Sequence, residues 1–570
     1  MNITEVLIKY WGHTNFRLKQ EYVIQQIIEN KDTLALLPTG GGKSICYQIP
    51  ALIKEGICLV ISPLISLMHD QIRHLKSKNI KSICITSDMH YSEIESALTN
   101  CIYGGIKFLY LSPEKIQNSL VQQRIKEMNI NLITVDEAHC ISEWGHNFRP
   151  SYRDISKIRE LTPNSPILAL TATATKDVTQ DIQKNLLFKK ENVIKASFKR
   201  DNLSYMVEYA KNKRTRLIEI LNKIKSPTII YVGTRKRAKD ISDFLNKKNF
   251  SSSYYHAGLK SNIRNKRQKD WNTNQIRIMV ATNSFGMGIN KPDVKIVIHM
   301  DLPSRIEYYF QEAGRAGRNG EKAYAFLLTN KDDIIKQQRL LQIKYPTINE
   351  ILEFYQNIAN YMQVAVGEFP KEPISFDIIK FNKRYKTNTL KTYYILKYLE
   401  KEGKMKFLDN THSISKLKIS VSNSDLYKFQ ITNKSYDLFI KTLLRSYANI
   451  FNYHVKINEK EIALRLNTSI DNVKNILNRL QKLEIIEYTE NNQLNQLKFL
   501  HARQDSESLH LNKNSWKERK DYESSKLTHM TNYINKKDSC RSQLLLEYFG
   551  QNGSEKCNIC DICLNNKIKN

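Results

Sequence analysis

The chain has 570 residues with 41% hydrophobic and 25% charged side chains, a globular balance that excludes wholesale disorder and leaves room for several cores. No apolar run approaches the roughly 18 residues of a membrane span, and the first ten residues lack a signal peptide's basic start and apolar core, so a cytoplasmic location without a membrane partner is expected. Lysine and arginine number 88 against 57 aspartate and glutamate; the net +31, spread as +19 over residues 1–330 and +12 over 331–570, points to a polyanionic partner, with biased codon usage as the alternative source.

From residue 33 to 328, short apolar runs alternate with amphipathic stretches. The runs at 33–37, 57–62, 107–111, 132–135 and 167–170, then 228–232, 252–256, 276–281, 295–299 and 323–328, predict βαβ units and two parallel sheets. Residues 199–213 lack periodicity and read as a hinge between a lobe at 1–205 and a second at 206–345. A helical region at 346–515 follows, with two units that look like helix-turn-helix plus wing. The first, 376–407, puts Tyr393, Leu396 and Leu399 on one face; the second carries Ile462, Leu466, Val473, Ile476, Leu477 and Leu480 before a strand at 484–488. Small helical bundles share this spacing, so DNA-binding winged helices and plain bundles both stay open. Residues 504–526 read as a polar linker into a last segment, 516–570.

Two blocks carry phosphate chemistry. After the run at 33–37 come Pro38, Thr39, Gly40, Gly41, Gly42, Lys43 and Ser44, then a helix-like segment. Glycines let backbone N–H groups close around phosphates, Lys43 would meet the β/γ-phosphates, and the Ser44 hydroxyl would ligate Mg²⁺. The strict motif has glycine where Leu37 stands. The run at 132–135 delivers Asp136, Glu137, Ala138 and His139. Buried carboxylates need a cation: Asp136 would hold Mg²⁺ through water, Glu137 would orient and deprotonate the attacking water, and His139 would sense the γ-phosphate. In the second lobe Gln311, Arg315 and Arg318 could reach across a cleft and supply an arginine finger, coupling hydrolysis to lobe opening.

Cys540, Cys557, Cys560 and Cys563 are separated by 16, 2 and 2 residues. Four thiolates so spaced suit a closed tetrahedral Zn²⁺ site. Iron–sulfur ligation shares the two-residue gaps but normally continues to a further Cys-Pro, which 564–570 lacks. The other five cysteines read as small buried residues.

Together these blocks resemble RecQ-family DNA helicases of superfamily 2 over most of 5–330 and about 529–564. Phe16-Arg17-Leu18-Lys19-Gln20 resembles the adenine-reading motif, with Arg17 and Gln20 at the nucleotide and His13 where the family usually has a stacking tyrosine. The blocks at 62–68 and 110–114 resemble strand-gripping segments, 171–174 the block coupling hydrolysis to unwinding, and 281–292, with Gly288 and Asn290, the second-lobe block touching nucleotide. The segment 141–150 resembles the aromatic-rich loop of the family: Trp144 and Phe148 would stack on unpaired bases, and His146 and Arg149 would answer phosphate or the acidic motif. Asn147 and Asn319 stand where the family commonly has aspartate. The segment 540–550 resembles the family's zinc module, here after the winged-helix-like region instead of directly after lobe 2.

The resemblance implies an α/β fold of two RecA-like parallel-sheet motor lobes, a mainly α winged-helix-like region and a small zinc-binding module. It implies a helicase using ATP, Mg²⁺ and Zn²⁺ that moves 3′ to 5′ on single-stranded and forked DNA, nucleoid-associated, with single-strand-binding or repair proteins as partners. The strand-separating hairpin is sought at 408–414 or 487–497. The alternatives are an RNA-remodelling helicase of the same superfamily and an ATP-gated DNA-binding switch that does not unwind.

Overall fold

All four residues of Thr33–Leu36 (β1) are buried, as a parallel strand covered on both faces requires. The computed structural model describes residues 2–86, 89–143, 148–286, 289, 291–408, 415–490, 495–505 and 508–569. With β2 (Ile57–Ile61), β3 (Ser82–Ile85), β4 (Phe108–Leu111), β5 (Ile130–Val135), β6 (Ile167–Thr171) and β7 (Val193–Lys195), β1 forms a seven-stranded sheet in the order β3-β4-β2-β5-β6-β1-β7. The pairings are parallel. Because β5, β6 and β1 are neighbours, the acidic motif, Thr171 and the glycine loop leave the sheet along one edge.

The second lobe repeats the plan with β8 (Leu203–Tyr209), β9 (Thr228–Tyr231), β10 (Ser252–Tyr255), β11 (Ile278–Ala281), β12 (Ile296–His299) and β13 (Ala323–Thr329), in the order β10-β11-β9-β12-β13-β8. The expected hinge at 199–213 is therefore corrected: β8 occupies its middle and pairs with β13 over seven residues. Its alternation is hidden because Leu203, Ser204 and Tyr205 are all buried, with Ser204 Oγ donating to the Ile559 carbonyl from the far end of the chain. The boundary expected at 205/206 falls inside this strand.

Two compact units divide the chain: Met1–Gln338 with Asp521–Asn570, and Arg339–Lys520. In the first, Met530, Tyr533, Leu545, Leu546 and Phe549 join the same apolar core as Leu203, Tyr205, Tyr309 and Phe310 of lobe 2. The linker expected at 504–526 is corrected as well, since Lys513–Asn535 is one 23-residue helix. Its polar letters hide inward-facing side chains: Lys526 pairs with Glu307 at 2.8 Å, and Trp516 Nε1 donates to the Pro346 carbonyl at 3.0 Å.

The second unit holds two small helix-and-sheet bodies, one nested in the other. The outer has β14 (Ile374–Phe376), helices Ile378–Arg384 and Thr389–Lys401, β15 (Met405–Leu408) and, about ninety residues on, β19 (Asn495–Phe499), which pairs antiparallel with both β14 and β15. The inner runs from β16 (Lys416–Ile419) through β17 (Val455–Lys456) and helices Glu459–Leu466 and Ile470–Lys482 to β18 (Ile486–Thr489). Of the hairpin candidates, 409–414 and 491–494 lie outside the described residues. The stretch 487–497 is not a single wing, because it runs from the inner sheet to the outer one.

Beneath the first sheet, buried Asp32 pairs with Arg159, and its carboxylate accepts from Ile167 N and Lys189 N at 2.9 Å each. Removing one partner of such a pair strands a buried charge, so Asp32→Ala should destabilise the motor by about 3–5 kcal/mol. The check is the denaturant midpoint followed by intrinsic fluorescence; an unshifted midpoint would deny this network its structural role.

Candidate nucleotide site and metal cluster

Past β1 the backbone enters the left-handed region at Gly40 (φ 80°) and Gly42 (φ 70°) before the helix Ile45–Ile53, whose N-terminal capping position is Ser44. A Cβ on Gly42 would stand 2.4 Å from Gln20 Nε2, which instead donates to the carbonyls of Gly41 and Gly42 at 3.0 Å. Gln20 Oε1 accepts from Arg17 N at 2.8 Å, so the 17–20 block braces the glycine loop. Loop amides at a helix N-terminus form a ready site for phosphate.

At the end of β5, Glu137 adopts φ 48° and its N–H bonds Asp136 Oδ1 at 3.0 Å. Burial first, then the Glu137 carboxylate, pushes the Asp136 carboxyl up to about 7, with Lys43 opposing. Glu137 Oε2 is buried without a hydrogen bond, 3.4 Å from His139 Nδ1. The His139 ring also bonds Thr171 Oγ1 at 2.9 Å, and burial holds the imidazole at about 4, hence neutral. A buried pair of carboxyls so thinly compensated fits a divalent cation, and the hard oxygens of Ser44 and Asp136 suit Mg²⁺.

The second lobe supplies the facing wall. The helix Ile306–Ala313 carries Gln311, 7% exposed, and the chain then turns through Gly314 to Arg315 and Arg318. The Arg318 methylenes lie on Gly40, where a Cβ would stand 3.3 Å from Cγ, and Nη1 donates to the Ile289 carbonyl at 2.5 Å. Burial, then Arg315, lowers the Arg318 guanidinium to about 9. Thr39 Oγ1 donates to the Gly314 carbonyl at 3.3 Å, and Arg315 packs on Gly286. Between the lobes lies a cavity of about 1010 Å³. His13, Arg17, Gln20, Thr39, Lys43 and Ser44 line one side with Asp136 and Glu137; Gln311, Arg315 and Arg318 line the other. Trp11 also lines it; the helical spacing of Ile3–Trp11 disguises this ring as core.

Gly288, Asn290, Trp144 and His146 lie outside the described residues. Of the aromatic-rich segment, Phe148 has the Arg153 guanidinium 5.3 Å from its ring centre, and Arg149 Nη1 donates to the Pro63 carbonyl at 2.8 Å and stands 3.8 Å from Glu114. Tyr152, just beyond, donates to the Asp136 carbonyl at 3.0 Å. Arg149 thus ties the segment to the 62–68 and 110–114 blocks, and Tyr152, two residues past its end, adds a bond to the acidic motif.

The Sγ atoms of Cys540, Cys557, Cys560 and Cys563 lie within 4.8 Å of one another, 3.3 Å apart for Cys540 and Cys557 and 4.0 Å for Cys540 and Cys560. A tetrahedron with bonds of about 2.3 Å has edges of about 3.8 Å, so the four thiols fit zinc. Arg541, beside the first ligand, grips Asp561 between the last two at 3.0 Å.

Residues 17–182 match the DEAD/DEAH box helicase family and 212–320 the helicase conserved C-terminal domain. Residues 417–490 match the RecQ helicase winged-helix domain of Bacteroidota, and 494–564 the RecQ zinc-binding domain. The chain is 40% identical over 356 residues to the probable ATP-dependent DNA helicase RecS of Bacillus subtilis, covering 62% of this chain and 71% of the relative. It is 41% identical over 340 residues to that organism's ATP-dependent DNA helicase RecQ (59% and 58% covered). It is 38% identical over 422 residues to the putative ATP-dependent RNA helicase R290 of Acanthamoeba polyphaga mimivirus (73% and 72% covered). With the cluster's geometry, these matches make the four cysteines a zinc site. Metal analysis should return one zinc per chain; Cys560→Ser should lose most of it and lower the melting temperature, whereas undiminished zinc would place the ion elsewhere.

Proposed function

The chain belongs to the RecQ family and is an ATP-hydrolysing DNA helicase; we propose that it translocates 3′ to 5′ on single-stranded DNA and unwinds forked duplexes in repair and recombination, at the nucleoid in the cytoplasm. The observation that carries this reading is Arg318 of one lobe lying on Gly40 of the other. One nucleotide there would touch both sheets, so its hydrolysis alters what holds the lobes together.

In this reading the glycine loop and Lys43 hold the β- and γ-phosphates, and Gln20 fixes the loop while His13 and Trp11 border the base. Ser44 and Asp136 hold Mg²⁺, which when bound neutralises charge on the phosphate oxygens. Glu137 orients and deprotonates the attacking water, its buried, unbonded Oε2 being available to accept a proton. Gln311, Arg315 and Arg318 face the leaving charge, where an arginine finger contributes about 10³–10⁵ in rate. Neutral His139 joins Glu137 to Thr171, and Tyr152 joins Asp136 to the aromatic-rich segment, a short route from bound strand to water. Polarity and the strand contacts of Trp144, His146, Phe148 and Arg149 follow the family resemblance.

ATP hydrolysis should rise sharply with single-stranded DNA and be abolished by Lys43→Ala, measured as phosphate release beside unwinding of a forked duplex. A Lys43→Ala protein that still unwinds would sink the assignment. Greater stimulation by RNA of matched sequence would favour RNA remodelling, and sequence-specific duplex binding without strand release the ATP-gated switch.

A further inference from the structure

The covalent crossing from lobe 1 to lobe 2 is the short segment between β7 and β8. Ala196 still belongs to lobe 1, its N–H bonding the Leu36 carbonyl of β1 at 3.0 Å. Gln551, six residues before Cys557 opens the zinc cluster's C-terminal run, reaches this segment from the zinc module with both ends of its amide. Its Oε1 accepts from Phe198 N at 3.0 Å, and its Nε2 donates to the Ala196 carbonyl at 2.9 Å. A side-chain amide here pairs with the linker as a neighbouring strand would.

The ring of Phe198, 3% exposed, stands 5.8 Å from Phe310 and 5.5 Å from Phe549, which are themselves 4.9 Å apart. Phe310 immediately precedes Gln311, so one three-ring contact joins linker, zinc module and the helix leading to the arginines. From the linker, Arg200 Nη2 donates to the carbonyls of Ala316 (3.1 Å) and Gly317 (2.7 Å), inside the Arg315–Arg318 turn. Asn202 Nδ2 donates to Gly317 O at 2.7 Å as well.

The zinc module is anchored on lobe 2 by other contacts. Tyr548 and Lys526 both bond Glu307 Oε1, at 2.7 and 2.8 Å, Arg305 pairs with Glu523 at 2.6 Å, and Ser204 bonds the Ile559 carbonyl within the cysteine run. The Gln551–Ala196 bond is therefore a tie from a lobe 2 passenger back to the residue that follows β7 and still bonds β1 of lobe 1. A change of lobe angle acts on it directly.

We propose that Gln551 is a positioning residue for ATP hydrolysis: through it the zinc module fixes the inter-lobe linker and so sets where Arg318 lies over the glycine loop. The inference rests on the helicase reading above. Adenine and phosphate contacts on lobe 1 are untouched by Gln551, so its loss acts on kcat and on mechanical coupling, while KM for ATP holds. Misplacing a catalytic group by about 1 Å costs on the order of 10²-fold, and a loosened linker falls short of that.

The test compares wild type, Gln551→Ala and Gln551→Glu as full chains, measuring zinc content, KM and kcat with single-stranded DNA, and base pairs unwound per ATP. Gln551→Ala should keep one zinc and a KM within about twofold while kcat falls about tenfold and base pairs per ATP also fall. Gln551→Glu keeps the acceptor for Phe198 N but loses the donor to Ala196 and sets a carboxylate against its carbonyl, so kcat should fall at least as far as in Gln551→Ala. An unchanged kcat overturns the proposal; so does a lower kcat at unchanged base pairs per ATP, which marks a loss of folded protein only. If wild type itself shows no DNA-stimulated hydrolysis, the helicase reading fails instead, which is a separate result.

Discussion

A Cβ on Gly40 would stand 3.3 Å from Cγ of Arg318, and a Cβ on Gly314 would stand 2.2 Å from Thr39 Oγ1. The two lobes thus meet at backbone that carries no side chain, one glycine contributed by each. This close approach lets a guanidinium from one sheet sit at the phosphate loop of the other. Gly42 is bare for a related reason, since the Gln20 amide occupies the space a side chain would take. Bulk at Gly40 or Gly314 would push the two lobes apart at this contact, whereas bulk at Gly42 would displace the Gln20 amide within lobe 1.

The carboxyls are the counterpart of that contact. Asp136 and Glu137 share one buried strand end, and their mutual repulsion is what burial amplifies. The sheet places β6 beside them, so Thr171 receives His139 without any long-range device. The imidazole turns one nitrogen, Nδ1, to the Thr171 hydroxyl at 2.9 Å with the Glu137 carboxylate 3.4 Å away, so, being neutral, it couples their positions without carrying charge. The same neighbourhood receives Tyr152, which brings the aromatic-rich segment within one hydrogen bond of Asp136.

Parallel strands buried on both faces read as continuous apolar runs, which is why β1, β2, β4, β5 and β6 and most of the second lobe were legible in the letters. So were the glycine loop, the acidic motif, both arginines and the cysteine spacing, because their chemistry dictates residue type and interval. What escaped depends on partners distant in sequence. β8 looks aperiodic because the zinc module covers the side that would otherwise be polar. Lys513–Asn535 looks like a linker because its buried polar residues, Lys526 among them, are satisfied by lobe 2. The nesting of one winged-helix-like body in another is invisible locally, since β15 finds its partner β19 only after the inner body is complete.

Codon usage explains a surplus of lysines but not where they sit. In the outer sheet Lys406 stands directly opposite Lys498, and in the inner sheet Lys416 opposite Lys456. Like charges opposed across antiparallel strands are destabilising. Lys406, Lys416 and Lys456 are all exposed, and among the described residues none of them has a salt-bridge partner. Such pairs are tolerable where a polyanion lies close by, and they favour that source for part of the +31 over drift in composition. The motor lobes use their arginines differently: Arg315 and Arg318 are drawn inward to the nucleotide cavity, and Arg200 is spent on the carbonyls between them. Buried cations in this chain thus have defined partners, carboxylates for Arg159, Arg305, Arg541 and Lys526 and the cavity wall for Arg315, whereas the opposed lysines of the two small sheets are turned to solvent.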